Sequence, residues 1–372
     1  MTLPNLPKAL GSLRHVFKSG LHSVRSEANP ASYKPVKKFL VILVDGLGAE
    51  QILAREGHAP FLAAYVKSGA VSHSSFPSTT SANITSLATG LTPGEHGIIG
   101  HMVQDRRHQT RLNLLTGWTT DTDPLVWQPN QTVTELASEL GVPAYVIGPE
   151  EYRNTGFTLA TMRGAEYVAA EDWSDRFQSA KEILGRPESS ISYLYIPELD
   201  KFGHRNGWQS SGWAALLEDL DLALRSFTAK VPQGVGVVIT ADHGMVDTEN
   251  DRKLFIDNEL DADDQLDFFG GDTRAGYVYL KDPLAASAVI QSLAGLANFI
   301  TPIALDSQHI QKLYGDVGAE GRDRIPDLIL FAKANYTLFH SQHSKKRSSE
   351  MIAHHGGLSS AETRIPLIRL GL

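Results

Sequence analysis

The sequence predicts an α/β fold built on a doubly wound, mostly parallel sheet with helices on both faces. Three observations predict it. Apolar β-branched segments alternate with helical segments along the chain, as strands and crossover helices do in a parallel sheet. Several of these segments are apolar throughout, so both of their faces must be covered. Three of the predicted strands also end at, or just before, an Asp.

Composition places the chain among ordinary globular proteins. Its 372 residues, 42% of them hydrophobic, can bury a large core. The formal net charge of −8 argues against a nucleic acid polymer as partner, but a bound metal could still attract a small anionic substrate. The chain contains no Cys, which excludes disulfides and thiolate metal sites. No stretch approaches the roughly 20 apolar residues of a membrane span, so we expect a cytoplasmic protein without a membrane partner. We also expect a monomer or a homodimer.

The elements of the core follow in chain order. Residues 1–35 form an N-terminal arm with one short amphipathic helix at about 10–21. The segments 92–101 and 106–129 show loop character or no clear period. The remaining periodicities predict strands at 36–44, 143–147, 191–196 and 235–240, and helices at 49–55, 80–90, 132–140 and 216–227. The segment 166–186 is predicted to be mostly helical.

The character of the chain changes after residue 246. Strand patterns at 277–280 and 299–304, a helix near 285–297 and an acidic patch at 261–267 predict a small α+β insertion. Residues 325–331 return to core-strand character, and the basic segment 340–350 is expected to be a mobile loop. The predicted division is therefore an arm at 1–35, a catalytic core at 36–246 and 326–372, and a cap-like inserted subdomain at 247–325.

Four consecutive hydroxyl residues, 78–81, stand at the start of the helix predicted at 80–90. One residue is enough to cap a helix. A helix N-terminus also favours negative charge, so a hydroxyl group there can hold or attack a phosphoryl group. Ordinary capping remains the alternative for this stretch alone.

Carboxylate and imidazole side chains recur just beyond the ends of the predicted strands and near the C-terminus. Ligands of open α/β sheets bind beyond such strand ends. Three carboxylates and three imidazoles without sulfur suit two Zn²⁺ ions, or Mn²⁺ as the alternative. Two ions about 4 Å apart would hold the attacking and leaving oxygens of a phosphoryl displacement. The set is Asp45, Asp200, His204, Asp242, His243 and His355.

Each member of the set also has an ordinary alternative. Asp45 could be the N-cap of the following helix, and His355 could be a structural histidine. Asp200 and His204 stand four residues apart, as a surface pair on a helix would, although a flanking proline and glycine favour a loop. The joint occurrence at strand ends favours a site.

These residues together resemble the alkaline phosphatase superfamily, and within it the type I phosphodiesterase/nucleotide pyrophosphatase family. The resemblance covers roughly 37–101, 191–245 and 327–368 and implies an alkaline-phosphatase-like fold. Any one of its blocks is a weak signal, but their order along the chain is specific. The blocks are Val44-Asp45-Gly46, Phe76-Pro77-Ser78-Thr79-Thr80 leading to Thr89-Gly90, His96-Gly97-Ile98, Asp200 with Gly203-His204, Asp242-His243-Gly244 and His355-Gly356.

The resemblance also implies the roles of individual residues. Thr80 would be the nucleophile and would form a covalent phosphothreonine intermediate. His354 is the rival of His355, but the family's ligand directly precedes a glycine. One metal would be held by Asp45, Thr80, Asp242 and His243, and the other by Asp200, His204 and His355.

Two departures from the family bear on the substrate. Ser81 stands where nucleotide-cleaving members often carry an aromatic residue that stacks on the base. His101 stands where relatives place an asparagine that donates to a phosphate oxygen, and an imidazole can donate the same bond. We therefore expect His101 to be catalytic and both residues to bind substrate. Trp118, Trp127, Trp208 and Trp213 could supply a replacement stacking surface, but core packing is the expected role of most of them.

The expected activity is metal-dependent hydrolysis of a small phosphodiester or nucleotide-like pyrophosphate. A phosphomonoesterase or phosphonate hydrolase with the same metals is the alternative and would need a further cation, for which Arg106, Arg107 and Lys201 are candidates. A sulfatase is disfavoured because its nucleophile derives from Cys or Ser. A non-catalytic metal- or phosphoryl-binding module is the alternative of another class, and mutase activity is a further possibility.

Overall fold

The computed structural model describes residues 3–7, 10–258 and 263–372 of the chain. Within these residues the strands are β1 (Lys38–Val44), β2 (Val71–His73), β3 (Met102–Asp105), β4 (Thr110–Asn113), β5 (Ala144–Gly148), β6 (Glu166–Ala169), β7 (Ser190–Ile196), β8 (Val235–Thr240), β9 (Val246–Asp247), β10 (Lys253–Phe255), β11 (Leu266–Asp272), β12 (Ala275–Leu280), β13 (Ile300–Ala304), β14 (Leu328–Ala332), β15 (Thr337–Phe339), β16 (Ala353–His354) and β17 (Arg364–Leu370). The α-helices are α1 (His15–Val24), α2 (Ala49–Ala54), α3 (Pro60–Lys67), α4 (Thr80–Thr89), α5 (Pro93–His96), α6 (Pro124–Trp127), α7 (Val133–Glu139), α8 (Gly156–Met162), α9 (Trp173–Gly185), α10 (Glu198–Asn206), α11 (Ser211–Thr228), α12 (Ala286–Ser292), α13 (Ser307–Tyr314), α14 (Ala319–Arg322), α15 (Lys346–Glu350) and α16 (Ser360–Thr363).

The main sheet has seven strands in the order β2-β17-β8-β1-β7-β5-β6 among the described residues. Its five strands from β8 to β6 run parallel. Strand β17 pairs antiparallel with β8, and β2 at the edge pairs antiparallel with β17. All residues of β1, β5 and β8 are buried, because helices cover both faces of the sheet. The predicted α/β class with a mostly parallel, doubly wound sheet is confirmed.

The register of the central strands places their carboxyl ends at one edge. Val44 at the end of β1 lies opposite Ile196 at the end of β7. Leu43 lies opposite Thr240, the last residue of β8. The residues that follow these three strands must therefore emerge side by side.

A second sheet of six antiparallel strands has the order β13-β14-β12-β11-β3-β4. Side chains of β12 alternate between two apolar clusters: Tyr277 and Tyr279 pack with Phe76, and Val278 packs with Leu296. The strand expected at 325–331 forms β14 and belongs to this sheet, and so do β3 and β4 from before residue 247. The boundaries of a separate subdomain at 247–325 stay a prediction.

Several local predictions were wrong. Helix α10 lies where a loop was expected around 197–204. Pro197 does not prevent the helix, because it stands just before the first turn, where its missing N–H costs little. Gly203 fits inside the helix because a Cβ there would come within 2.7 Å of the Met245 sulfur. The segment 166–186 is mostly helical, as expected, because α9 occupies most of it, but it begins with strand β6. Short helices lie where loops were expected, α5 within 92–101 and α15 within 340–350. The segment 106–129, which shows no clear period, contains β4 and α6. The acidic patch at 261–267 lies partly outside the described residues.

The N-terminal helix packs against the main sheet. The amphipathic helix expected at 10–21 is α1, preceded by a 3₁₀ turn at Ser12–Arg14. Phe17 lies with its ring centroid 6.5 Å from that of Phe39 in β1, and Gly20 allows the close approach because a Cβ would come within 2.2 Å of the Phe39 ring. Among the described helices, none combines the length and apolar character that a membrane crossing requires.

Candidate active site

The structure brings all seven residues of the predicted metal sites, including Thr80, to the carboxyl edge of the main sheet. Asp45 directly follows β1, and Asp242 and His243 come just after β8. Asp200 and His204 face the same edge from α10, which follows β7. Thr80 is the first residue of α4, and His355 follows β16.

Thr80 lies in a buried half-site with one imidazole and two carboxylates. Its Oγ1 is 3.1 Å from His243 Nε2. The same nitrogen is 3.3 Å from Asp45 Oδ1 and 3.6 Å from Asp242 Oδ2. The backbone N–H groups of Gly46 and His243 donate to the other oxygen of Asp242, and the Tyr195 hydroxyl donates to the other oxygen of Asp45. One oxygen of each carboxylate is thus held by the protein while the second points into the half-site.

The second half-site adjoins the first. His204 Nε2 is 3.3 Å from Asp200 Oδ2, and His355 Nε2 is 4.0 Å from Asp200 Oδ1. The rings of His243 and His355 stack with centroids 3.7 Å apart. Ligand atoms of Asp200, His243 and His355 lie within 4.8 Å of one another, as do those of Asp45, Asp242 and His243.

Backbone carbonyls fix the orientation of the three imidazoles. Nδ1 of His243 donates to the Gly244 carbonyl at 3.0 Å, because a carbonyl can only accept. Nδ1 of His204 contacts the Ala353 carbonyl at 2.8 Å, and Nδ1 of His355 the Ser78 carbonyl at 3.0 Å. Each ring therefore presents Nε2 to the carboxylates, the arrangement that metal-ligating histidines adopt.

The charges of the cluster fit divalent cations. Burial, followed by the neighbouring Asp242 and Asp200 charges, raises the pKa of Asp45 well above its ordinary value. Burial also raises the pKa of Asp242 and lowers that of His355 well below its ordinary value. Oδ1 of Asp45, Oδ1 of Asp200 and Oδ2 of Asp242 are buried without a hydrogen-bond partner in the described chain. Converging acceptors with no donor are satisfied by a cation, and a set of oxygen and imidazole ligands suits Zn²⁺ or Mn²⁺.

The structure resolves the alternatives for individual residues. Helix α2 begins after Gly48 without a side-chain cap, so Asp45 does not cap it. Thr79 is the N-cap residue of α4, but its side chain makes no capping bond. Both ring nitrogens of His354 have partners outside the cluster: Nδ1 lies 2.9 Å from the Thr273 hydroxyl and Nε2 lies 3.2 Å from the Met351 carbonyl.

Ser81 and His101 have different surroundings. Ser81 is buried and donates to the Gly100 carbonyl at 2.7 Å, so its hydroxyl proton is already used. His101 lines a cavity of about 170 Å³ that His204 and His355 also line. Burial is the main cause that lowers the pKa of His101 to about 4, so the ring is neutral at physiological pH.

The cavity walls combine apolar and polar groups. The apolar part comes mainly from Met102, Phe269, Leu338, Phe339 and Met351, and the polar part includes Asn113, Asp272, Ser344 and Lys345. None of the four tryptophans proposed for base stacking lines it. Trp213 is buried and donates to the Leu199 carbonyl at 3.1 Å, and Trp127 is also buried.

Four residues near the site were not singled out from the sequence as contributing to it. Ser78 donates to the Gly357 carbonyl and thereby connects the start of α4 with the segment that carries His355. Tyr195 bonds Asp45. Asp272 accepts the His101 N–H at 3.3 Å, and burial raises its pKa to about 7. Lys345 lies in the segment that was expected to be a mobile loop. Ser78 belongs to the hydroxyl run 78–81, which was a local signal, whereas the positions of Tyr195, Asp272 and Lys345 at the site depend on how distant segments pack.

A family model covers most of the chain. The model of the type I phosphodiesterase / nucleotide pyrophosphatase family matches residues 39–358. The chain is 23% identical over 239 residues to an uncharacterized pyrophosphatase/phosphodiesterase of Schizosaccharomyces pombe, covering 59% of the chain and 47% of that protein. It is 23% identical over 349 residues to the bis(5'-adenosyl)-triphosphatase of Bos taurus, covering 86% of the chain and 69% of that protein. The chain thus spans about half the length of the fungal relative and about two thirds of the bovine one.

A solved structure shares the fold. The murine ectonucleotide pyrophosphatase/phosphodiesterase 5 superposes with a TM-score of 0.67 at 18% identity, covering 89% of this chain and 87% of that one. An inactive variant of the murine protein has been solved in complex with AMP, with a TM-score of 0.66 to this chain at 17% identity, again covering 89% and 87%.

Proposed function

The chain belongs to the type I phosphodiesterase/nucleotide pyrophosphatase family, and from that premise we propose that it hydrolyses small phosphodiesters or nucleotide-like pyrophosphates with Thr80 as nucleophile. One observation carries the proposal. Thr80 Oγ1 lies 3.1 Å from His243 Nε2, at the start of a helix without a side-chain cap, beside buried carboxylate oxygens that lack partners. A nucleophile, an anion-binding helix end and a cation site thus meet at one point.

Two divalent cations fit the ligand set. Bound there, they would supply Lewis acidity, lowering the pKa of a coordinated hydroxyl and offsetting charge on phosphoryl oxygens. Zn²⁺ is the first expectation and Mn²⁺ the second. We assign one cation to Asp45, Thr80, Asp242 and His243, and the other to Asp200, His204 and His355.

The reaction proceeds by two displacements at phosphorus. Thr80 Oγ1 attacks the phosphorus, its proton passes to solvent, and the bond from phosphorus to the leaving oxygen breaks. The product of this step is a phosphothreonine ester that still carries the retained group of the substrate. Water then attacks the same phosphorus, and the Thr80 oxygen leaves and regains a proton. The N–H groups at the start of α4 and the imidazole of His101 would bind the non-bridging oxygens.

The phosphomonoesterase or phosphonate hydrolase alternative is favoured by one observation. Such an enzyme needs a cation for a terminal phosphate, and Lys345 lines the cavity. The earlier candidates are engaged elsewhere: Arg106 pairs with Asp327, Arg107 pairs with Asp323 at 2.7 Å, and Lys201 pairs with Glu151 at 2.5 Å. The cytoplasmic location and the monomeric or homodimeric state stay predictions, and the AMP complex of the murine relative supports a nucleotide-like substrate.

Steady-state hydrolysis of bis-p-nitrophenyl phosphate and p-nitrophenyl phosphate tests the proposal. Wild type, Thr80→Ala and the neighbouring control Thr79→Ala are compared with Zn²⁺ or Mn²⁺, and bound metal is measured for each. We expect diester hydrolysis that only Thr80→Ala abolishes. A preference for the monoester would support the phosphomonoesterase alternative, and full activity of Thr80→Ala would contradict the assignment of the nucleophile. A wild type that binds metal and hydrolyses neither ester would indicate a non-catalytic module.

A further inference from the structure

His101 is held by an asparagine from the neighbouring strand. Nδ2 of Asn113 lies 2.8 Å from Nε2 of His101. The backbone of His101 is fixed as well, since its N–H donates to Asp272 and its carbonyl accepts the Leu114 N–H at 2.8 Å. Neither family resemblance nor sequence pattern indicated Asn113.

The orientation of the Asn113 amide follows from its other contacts. Its Oδ1 accepts the backbone N–H of Leu115 at 3.0 Å and that of Thr116 at 2.8 Å. A flipped amide would direct its NH₂ group at two N–H donors and lose both bonds. Asn113 therefore donates through Nδ2, and His101 Nε2 must be the acceptor.

An imidazole that accepts at Nε2 carries its proton on Nδ1 when it is neutral. In the described chain, no hydrogen bond or ion pair engages Nδ1 of His101. The ring lines the same cavity as His204 and His355. The side chain thus offers one fixed N–H donor at the cavity.

We propose that Asn113 is a positioning residue that holds His101 in the neutral Nδ1–H tautomer, so that this N–H donates to a non-bridging oxygen of the phosphoryl group. The role in catalysis rests on the proposed function, whereas the tautomer does not. A donor that is already oriented needs no reorganisation when charge develops on the phosphoryl oxygens. It also gives the histidine the donor role that relatives are expected to fill with an asparagine side chain.

The tautomer is measured directly by long-range ¹H–¹⁵N NMR of protein labelled at histidine. His101 is assigned from the signal lost in His101→Gln. In wild type we expect Nε2 to show the shift of a bare ring nitrogen and Nδ1 that of an N–H. Asn113→Asp keeps the oxygen that accepts the N–H groups of the turn, but it replaces the NH₂ donor with a second carboxylate oxygen. At about pH 9, above the pKa of an ordinary imidazole, the proton should therefore move to Nε2.

The matched control is Asn29→Asp, because Asn29 also accepts a backbone N–H in a turn, that of Tyr33 at 2.8 Å. Tyr33 stacks on Phe39 near the amino end of β1, whereas the site lies at the carboxyl end of that strand. At the same pH, Asn113→Asp should lose about a hundredfold in kcat with unchanged bound metal, and Asn29→Asp should match wild type.

Two NMR results would overturn the proposal: an Nε2–H tautomer in wild type, or an Nδ1–H tautomer that persists in Asn113→Asp. A switched tautomer with unchanged kcat would overturn the catalytic role. If wild type hydrolyses no ester but shows the Nδ1–H tautomer, the proposed function fails and the assignment of the tautomer stands.

Discussion

Replacing Asp45 by Asn should stabilise the metal-free protein and destabilise the metal-loaded protein relative to wild type. Without a cation, Asp45 is buried beside Asp242 and Asp200, and its Oδ1 has no hydrogen-bond partner in the described chain. The amide removes one negative charge, and its oxygen can still accept the Tyr195 hydroxyl. With a cation bound, the same change removes a ligand. The sign of the effect therefore depends on the metal.

The magnitude follows from the spacing of the ligand atoms. Those of Asp45, Asp242 and His243 lie within 4.8 Å of one another. Two like charges at that distance repel by about 3.5 kcal/mol at an effective dielectric constant of about 20, which sets the order of magnitude of the gain from Asp45→Asn. With a metal at about 100 times its Kd, wild type should gain about 2.7 kcal/mol, and the variant should gain much less.

The pH dependence has a defined sign. Because the folded-state pKa of Asp45 is raised, the folded state holds a proton that the unfolded state releases at lower pH. The stability that this proton contributes is complete below pH 3.8, the ordinary pKa of an aspartate, and is lost as the pH rises through the raised pKa of Asp45. An asparagine has no such loss, so the advantage of Asp45→Asn should grow with pH and vanish in acid.

Urea unfolding in chelator at about pH 5 and pH 8, repeated with Zn²⁺ or Mn²⁺, measures these differences. The control is Asp219→Asn on the exposed face of α11, which should change the free energy of unfolding by less than about 0.5 kcal/mol. If Asp45→Asn is less stable than wild type in chelator at pH 8, the carboxylate is well compensated without metal and the inferred cation site is refuted.

Two further predictions concern stability and substrate binding. Arg274→Met should lower the free energy of unfolding by about 3–5 kcal/mol, because it leaves the buried Glu362 carboxylate without its cation. The control Arg111→Met breaks an exposed pair and should cost at most about 1 kcal/mol in the same urea experiment. Equal costs of the two changes would contradict this prediction. Lys345→Ala should raise KM about fivefold for esters whose leaving group carries a negative charge of its own, and should leave kcat unchanged. The control is Lys346→Ala, which should behave as wild type because the Lys346 side chain is 91% exposed. Equal effects of the two changes would exclude Lys345 from substrate binding.

The sequence predicted the main sheet and the positions of the ligands because both depend on local patterns. A parallel strand buried on both faces has an unbroken apolar run, and Asp45 and Asp242 follow two such runs. The loop predicted around Asp200 was wrong because a proline before a helix and a glycine against Met245 have the same local signature as a turn. Even so, the helix keeps Asp200 and His204 on one face, since residues four apart are neighbours there.

The second sheet and the support of His101 could not be predicted, because both depend on distant parts of the chain. Strand β11 contacts β3 through the pairing of Gly271 with Met102, and β14 joins the same sheet from residue 328 onward. No periodicity in any one segment indicates such a pairing. The bond from Asn113 to His101 depends on the β3–β4 hairpin, which lies in a segment without a clear pattern.

Trapping the covalent intermediate during turnover tests whether Thr80 is the nucleophile. Wild type and Thr80→Ala are mixed with bis-p-nitrophenyl phosphate and metal, quenched in acid within one turnover and mapped by peptide mass spectrometry. If Thr80 is the nucleophile, we expect a nitrophenyl phosphoryl group on Thr80 of the wild type and on no peptide of Thr80→Ala. Modification of another residue, or rapid hydrolysis with no adduct at any time after mixing, would contradict this assignment.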